Sequence, residues 1–118
     1  MHYQAAPHEE AKLIRCIRGA IYDVIIDLRR GSSTYRQWFA ADLSGENYKM
    51  LYTPEGFAHG FQTLDPSTVV FYQMSEFYHP ESTHGVRWDD PIYGILWPLE
   101  PQCISARDAS YPLTKTVG

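Results

Sequence analysis

The sequence has little cysteine, little net charge and no long apolar run, and each shortage excludes a class of protein. Its 118 residues include two cysteines, Cys16 and Cys103, which share no metal-binding or redox spacing. A net charge of −4 with scattered basic residues offers no electrostatic surface for nucleic acid. No stretch reaches the ~18 apolar residues that span a bilayer, and no signal peptide is recognisable. We therefore expect a soluble, cytoplasmic protein that binds neither nucleic acid nor membrane.

The composition that remains is typical of one folded domain. Hydrophobic residues make up 44% of the chain and aromatic residues 14%, which argues against disorder. A chain of this length builds one core, so residues 1–118 are expected to form a single domain. Both cysteines lie among apolar neighbours, which favours two buried free thiols in a reducing compartment, with a disulfide as the alternative.

Turn signals recur about every 8–12 residues, and this rhythm indicates an all-β fold. No segment shows sustained helical periodicity. Five runs are rich in β-forming residues, and we expect strands over residues 12–17, 20–28, 34–43, 48–53 and 69–78. Short strands that close on themselves predict a cupin-type jelly roll, whose mouth is a natural site for a small molecule.

The second predicted strand places carboxylates on an apolar face. By alternation, one of its faces carries four apolar or aromatic side chains, namely Tyr22, Val24, Ile26 and Leu28. The other face carries Ile21 and Ile25 together with Asp23 and Asp27. A carboxylate that points into a core must be paired or hydrogen-bonded, so partners for both aspartates are expected.

The five histidines give little indication of a metal centre. A metal-binding cupin needs a His-x-His pair followed by a carboxylate and a distant third histidine, and no His-x-His occurs. His59 lies among small and apolar neighbours that would desolvate it, and a hydrogen-bonded core histidine is the simplest interpretation. His8, His79 and His84 fall in polar, loop-like stretches and are expected to be solvated.

Lys12 and Tyr72 each have an ordinary structural explanation. Lys12 shares a strand face with Ile14 and Cys16, where a lysine is costly unless it meets an anion or extends to water. Tyr72 lies within a strand and alone would be a core aromatic residue. Together with a neutral histidine such as His2, however, they form a set that can remove a proton next to a carbonyl and return it from the other side.

The residues resemble, along nearly the whole chain, the dTDP-4-dehydrorhamnose 3,5-epimerases, which act on dTDP-4-keto-6-deoxyglucose. The segment 54–61, Pro-Glu-Gly-Phe-Ala-His-Gly-Phe, is the most distinctive match. The other motifs follow in the family's order: His2-Tyr3-Gln4, Lys12-Leu13-Ile14, Asp23-Val24, Asp27-Leu28-Arg29-Arg30-Gly31-Ser32, Glu46-Asn47, Gly85-Val86, Asp90-Pro91, Trp97-Pro98 and Ser105-x-Arg107-Asp108. This many motifs in one order is a far stronger signal than any single motif.

The resemblance implies a role for each matching residue. His2 matches the general base, and Asp108 matches the carboxylate that orients it. Lys12 matches the cation beside the C4 oxygen, and Tyr72 matches the acid that reprotonates the opposite face. It also implies an epimerase that needs no metal and no other cofactor, forms a homodimer and binds a nucleotide-diphosphate sugar.

Supporting residues and departures complete the comparison with the family. His59 and Asp23 match a hydrogen-bonded pair inside the barrel, and Gln4 and Tyr78 are expected to bind substrate or support the site. The family carries further residues before the histidine motif, including an arginine, so the chain is interpreted as N-terminally shortened. Gln73 replaces the usual lysine after the tyrosine. A non-catalytic, truncated protein that binds a sugar nucleotide is the alternative, and a metal-dependent cupin is a third hypothesis.

Overall fold

A computed structural model describes residues 1–115, and the last three residues of the predicted domain, 116–118, lie outside the described residues. Eight strands account for most of the regular structure: β1 (His2–Gln4), β2 (Lys12–Arg18), β3 (Ala20–Asp27), β4 (Trp38–Ser44), β5 (Met50–Thr53), β6 (Phe57–Thr63), β7 (Val69–Met74) and β8 (Thr83–Gly85). A single 3-10 turn (Pro80–Ser82) and one short helix, α1 (Ala106–Ser110), complete the described elements. Within this part of the chain, no helix has the length and apolar character to cross a membrane.

The strands form two antiparallel sheets. The larger sheet has the order β4-β3-β6-β1-β8, and the smaller has the order β5-β2-β7. Ile14 and Cys16 of the smaller sheet pack against Ile21 and Leu43 of the larger one, so an apolar cluster joins the two layers. The predicted all-β cupin-type jelly roll is confirmed.

A second apolar cluster lies on the other side of the larger sheet. Val24 and Ile26 of β3 are fully buried there, with Tyr22 and Leu28 packed beside them, as the alternation predicted. Val86 and Tyr93, from the segment that follows β8, cover this face. The opposite face of β3, which carries Asp23, therefore points into the space between the sheets.

The predicted strands are recovered, although four of them are shorter than expected, β3 by a single residue because it ends at Asp27. The strand predicted to begin at Thr34 begins at Trp38, because Arg36 has a positive φ of 67° and residues 29–37 form a loop. Tyr48 also has a positive φ, 56°, so β5 begins at Met50 rather than at residue 48. The strand predicted to end at residue 78 ends at Met74.

Asp27 has the partners that its inward position required. Its side chain is 1% exposed and accepts hydrogen bonds from the backbone and guanidinium of Arg29 and from the hydroxyls of Ser32 and Thr34. The hydrogen-bonded Arg29 guanidinium, followed by the two hydroxyls, holds the pKa of the Asp27 carboxyl well below its ordinary value. This carboxylate thereby fixes the loop that follows β3.

Replacing Asp27 by asparagine is expected to lower the free energy of unfolding by about 2–3 kcal/mol at pH 7, because charge-assisted hydrogen bonds are lost in a buried setting. A carboxyl whose folded pKa is depressed stabilises the protein above its unfolded pKa, and this stabilisation is lost as the pH falls through the folded value. Urea unfolding should therefore show a gap between wild type and Asp27→Asn at pH 7 that narrows below about pH 4. An equal gap at both pH values would contradict this account.

Candidate active site

A cavity of about 850 Å³ opens between the two sheets and is partly closed by residues 99–104. His2, Lys12, His59, Tyr72 and Asp108, which come from five separate segments, all line it. His2, Lys12 and Tyr72 were grouped by their chemistry, and the family resemblance added His59 and Asp108. The fold brings all five to one place. The size of the cavity is in the range of small-molecule sites.

The wall formed by the larger sheet follows from strand register. His2 of β1 is paired directly with His59 of β6, and directly paired residues in antiparallel strands point to the same face. His59 in turn is paired with Ile25 of β3, which shares its face with Asp23. The pairing therefore places His2, His59 and Asp23 side by side on one interior surface.

The smaller sheet supplies the opposite wall. Ile14 of β2 is paired directly with Tyr72 of β7, so both side chains point to the interior. Lys12 lies two residues before Ile14 and has the same orientation. The imidazole of His59 meets the Tyr72 ring edge to face across the cavity, with ring centroids 6.4 Å apart.

The short helix α1 brings Asp108 to His2. The Ser105 hydroxyl caps the helix by accepting a hydrogen bond from the backbone N–H of Asp108, at 3.1 Å. The Asp108 carboxylate is hydrogen-bonded to Nε2 of His2, and Nη2 of Arg107 lies 3.3 Å from the same nitrogen. The ring of Tyr111 packs edge-on against the His2 imidazole. His2 is thus held by contacts on several sides.

Burial sets the protonation of the cavity residues. It lowers the pKa of His2, an effect that the Asp108 carboxylate opposes, and the imidazole is neutral near pH 7. Burial, followed by the charge of Asp23, raises the pKa of the Tyr72 hydroxyl, which therefore keeps its proton. A neutral histidine and a protonated tyrosine thus lie on opposite walls of one cavity, a combination suited to accepting and donating protons.

Lys12 is buried, contrary to the interpretation of a side chain that extends to water. It is 9% exposed, and its Nζ lies 3.9 Å from a carboxylate oxygen of Glu10. Burial lowers the pKa of the Lys12 ammonium, while Glu10 and Asp23 raise it. Burial raises the pKa of the Glu10 carboxyl, and the charge of Lys12 lowers it. The two carboxylates are the anions that the lysine needs on an apolar face.

His59 and Asp23 form the buried pair that the resemblance implied. Nε2 of His59 is hydrogen-bonded to one carboxylate oxygen of Asp23, and both residues are at most 5% exposed. Burial lowers the pKa of His59 against the opposing influence of Asp23. The second carboxylate oxygen has no hydrogen-bond partner among the described residues. His59 is therefore the hydrogen-bond partner that the inward-pointing carboxylate of Asp23 was expected to need.

Two further predicted site residues lie outside the described lining of the cavity. Gln4 is buried, but its amide joins backbone groups of His8, Phe77 and His79. Tyr78 is largely exposed.

The expectation of two buried free thiols is wrong for Cys103. Both cysteines are free, but only Cys16 is buried, and Cys103 is exposed where it lines the cavity. Its apolar neighbour Ile104 is exposed as well, so that segment belongs to no core.

Two charged residues beside the site were not predicted from the sequence. Glu10 lies two residues before Lys12, and in an extended segment that spacing places both side chains on one face, so the pattern contained the signal. Arg107 was matched to a motif without receiving a role, and only the helix shows that its guanidinium reaches His2. Both residues change the charge around the groups they contact.

Comparison with known proteins agrees with this geometry. The family model described as dTDP-4-dehydrorhamnose 3,5-epimerase matches residues 1–116. The dTDP-4-dehydrorhamnose 3,5-epimerase of Sinorhizobium fredii is 46% identical over 113 residues, which cover 95% of this chain and 58% of the relative. That of Methanothermobacter thermautotrophicus is 49% identical over 100 residues, covering 85% of this chain and 54% of the relative. The chain thus spans little more than half the length of these curated relatives.

Solved structures give the same result. The Bacillus anthracis dTDP-4-dehydrorhamnose 3,5-epimerase, crystallised with TDP and pyrophosphate, is 44% identical with a TM-score of 0.93, covering 96% of this chain and 65% of that one. The Legionella pneumophila enzyme, in complex with dTDP-4-keto-L-rhamnose, is 40% identical with a TM-score of 0.87, covering 95% of this chain and 60% of that one. With sequence, fold and family model in agreement, this chain belongs to the dTDP-4-dehydrorhamnose 3,5-epimerase family.

Proposed function

We propose that this chain is an isomerase that epimerises a nucleotide-linked 4-keto-6-deoxyhexose, of the type dTDP-4-dehydro-6-deoxyglucose to dTDP-4-dehydrorhamnose. The observation that carries the proposal is the placement of His2 and Tyr72 on opposite sheets that face one cavity. Inversion at a carbon needs a base on one side and an acid on the other. A substrate held between the two sheets meets both conditions.

The first step assigns the base to His2. Asp108 engages Nε2 of the imidazole, which fixes the proton on that nitrogen and leaves the lone pair on Nδ1. The imidazole removes a proton from the carbon next to the C4 ketone, and the C–H electron pair forms the double bond of an enolate. Asp108 stabilises the imidazolium that results and acts as a positioning residue.

The next steps use the opposite wall. The Lys12 ammonium, buried and already close to carboxylates, stabilises the negative charge that develops on the C4 oxygen. The Tyr72 hydroxyl then donates its proton to the other face of the same carbon, which inverts it and restores the ketone. Water returns a proton to the phenolate and removes one from the imidazolium. His59 and Asp23 support the wall that holds His2.

Three features of the proposal are addressed by no contact among the described residues. A homodimeric assembly and a reaction that needs no metal stay predictions implied by the family resemblance, and a cytoplasmic location stays a prediction from the composition. The sugar nucleotide is the proposed partner because structures of relatives hold TDP or a dTDP-sugar.

Solvent deuterium uptake tests the proposal directly. In D2O, the 118-residue chain is expected to exchange hydrogen for deuterium at C3 or C5 of dTDP-4-keto-6-deoxyglucose, followed by NMR and mass spectrometry. Tyr72→Phe should still exchange on the His2 face but lose inverted product, because the base remains while the acid is gone. Saturable binding of the sugar nucleotide without any exchange would contradict the enzyme and support the non-catalytic binding protein.

A further inference from the structure

A cluster of metal-ligating side chains lies outside the cavity, where the loop after β1 meets the loop after β7. His8, Glu76 and His79 each place one ligand atom within 4.8 Å of the others. None of the three belongs to the described lining of the cavity. His8 and His79 were expected to be solvated, yet their side chains are only 30% and 28% exposed.

The two histidines are held against each other. Their imidazole rings stack in parallel, with centroids 3.4 Å apart and planes inclined by 4°. Nε2 of His79 lies 3.7 Å from the carboxylate of Glu76. This contact brings two imidazoles and one carboxylate together from positions up to 71 residues apart in the sequence.

A buried amide fixes the backbone on which the cluster is built. The side-chain nitrogen of Gln4, a residue that is 5% exposed, donates to the carbonyl of His8 at 2.9 Å and to the carbonyl of Phe77 at 3.2 Å. Its side-chain oxygen accepts from the backbone N–H of His79 at 2.8 Å. Gln4 therefore positions both loops before any ion binds, which lowers the entropic cost of assembling the ligands.

A second carboxylate orients one of the imidazoles. Nδ1 of His79 lies 3.2 Å from Oε1 of Glu81, so it donates its N–H to that oxygen and leaves Nε2 as the lone-pair nitrogen that faces Glu76. A carboxylate that fixes the tautomer of a ligating histidine is the usual outer contact of zinc sites. The arrangement thus has both a ligand set and its support.

We propose that His8, Glu76 and His79 bind a divalent transition-metal ion of the zinc type. Two imidazoles and a carboxylate suit Zn²⁺, whereas Mg²⁺ and Ca²⁺ prefer oxygen ligands alone. Tetrahedral zinc with bonds near 2 Å needs its ligands about 3.3 Å apart and lying in the plane of each imidazole ring. Binding therefore requires the two stacked imidazoles to rotate out of their parallel arrangement, so that both lone pairs point at the ion. Three protein ligands with partial exposure leave the fourth position to solvent or to an incoming group. The site would join the two loops at one edge of the fold and stands independently of the proposed epimerase activity.

The test titrates the tag-free chain with Zn²⁺ by calorimetry and with Co²⁺ by visible absorption. One equivalent is expected to bind saturably, with the intense Co²⁺ bands of a four-coordinate site and no comparable heat from Mg²⁺. His8→Asn and His79→Asn should each weaken Zn²⁺ at least about tenfold, and Glu81→Gln should weaken it about tenfold through the tautomer contact. His84→Asn removes an exposed histidine outside the cluster and should leave the affinity unchanged.

A second measurement guards against a variant that fails to fold. Zn²⁺ should raise the Tm of wild type and of His84→Asn but not that of His79→Asn, with the metal-free Tm values of all three similar. Unsaturable binding, or equal loss of affinity in His84→Asn and His79→Asn, would overturn the proposal and leave the cluster as an ion-pair network. The titration contains no sugar nucleotide, so its outcome and that of the deuterium experiment are separate.

Discussion

Replacing His2 by asparagine is expected to reduce deuterium exchange into the sugar about 10²–10⁴-fold, the range that a positioned general base contributes. Asparagine can still donate a hydrogen bond to Asp108, but it cannot take a proton. The measurement is the initial exchange rate at saturating sugar nucleotide, with binding of TDP as a second readout. Binding should change little, because the reaction rather than the affinity depends on the imidazole.

The pH dependence of the exchange rate also tests whether His2 is the base. Burial lowers the pKa of His2, so the neutral imidazole persists below pH 6.5 and the exchange rate should fall only as the pH passes the lowered value. Asp108 opposes that shift, so Asp108→Asn should move the acid limb to still lower pH as well as reduce the rate. A purely structural Asp108 would change the rate without moving the limb.

A matched histidine separates chemistry from a general loss of structure. His84 lies on β8, directly beside β1, but it is exposed and its ring stacks on Tyr3, outside the described lining of the cavity. His84→Asn should therefore keep wild-type exchange. If His2→Asn and His84→Asn both exchanged deuterium at the wild-type rate, a group other than His2 would be the base.

Alternation predicted the interior carboxylates but not all of the strands that surround them. The face that carries Asp23 was read correctly from the β3 pattern, because β-branched residues mark that strand clearly. No strand was assigned to β6, although it lies between β3 and β1 in the larger sheet. In its sequence Ala58 and Gly60 interrupt the β-forming Phe57, Phe61 and Thr63, so pairing on both sides rather than propensity alone decides its conformation.

Gly60 shows how tertiary contacts override the local pattern. A Cβ built on Gly60 would run into the side chain of Met1, which packs in the core cluster behind the larger sheet. The glycine that weakens the strand signal is thus the residue that permits close packing. Similarly, the stacking of His8 on His79 depends on Gln4, and no spacing in the sequence could have revealed it.

Some residues of the site were predicted from the sequence and others were not, for a related reason. The resemblance assigned roles to His2, Lys12 and Tyr72, and the fold places all three around one cavity. Their local sequence gave each an ordinary structural explanation, since a single side chain carries no information about what faces it. Glu10 and Arg107 act through their neighbours, and the distances that give them importance arise only when the chain folds.

Lys12→Met is expected to lower the exchange rate about 10²–10³-fold, the loss typical of removing one group that stabilises a developing oxyanion. Methionine has nearly the length of lysine, but it leaves the buried Glu10 carboxylate without its cation, so the Tm should fall while the chain stays folded at the assay temperature. A Tm measurement therefore distinguishes loss of chemistry from loss of structure.

Arg15 provides the control for Lys12 because it lies on the same strand but points to the exposed face. Arg15→Met should keep both the exchange rate and the affinity for TDP. Glu10→Gln keeps the Lys12 ammonium but removes a charge that raises its pKa. Its exchange rate should therefore stay near wild type at neutral pH and begin to fall at a lower pH on the alkaline side. If Lys12→Met exchanged as fast as Arg15→Met, the enolate would need another cation, and the proposed mechanism would lose its electrostatic step.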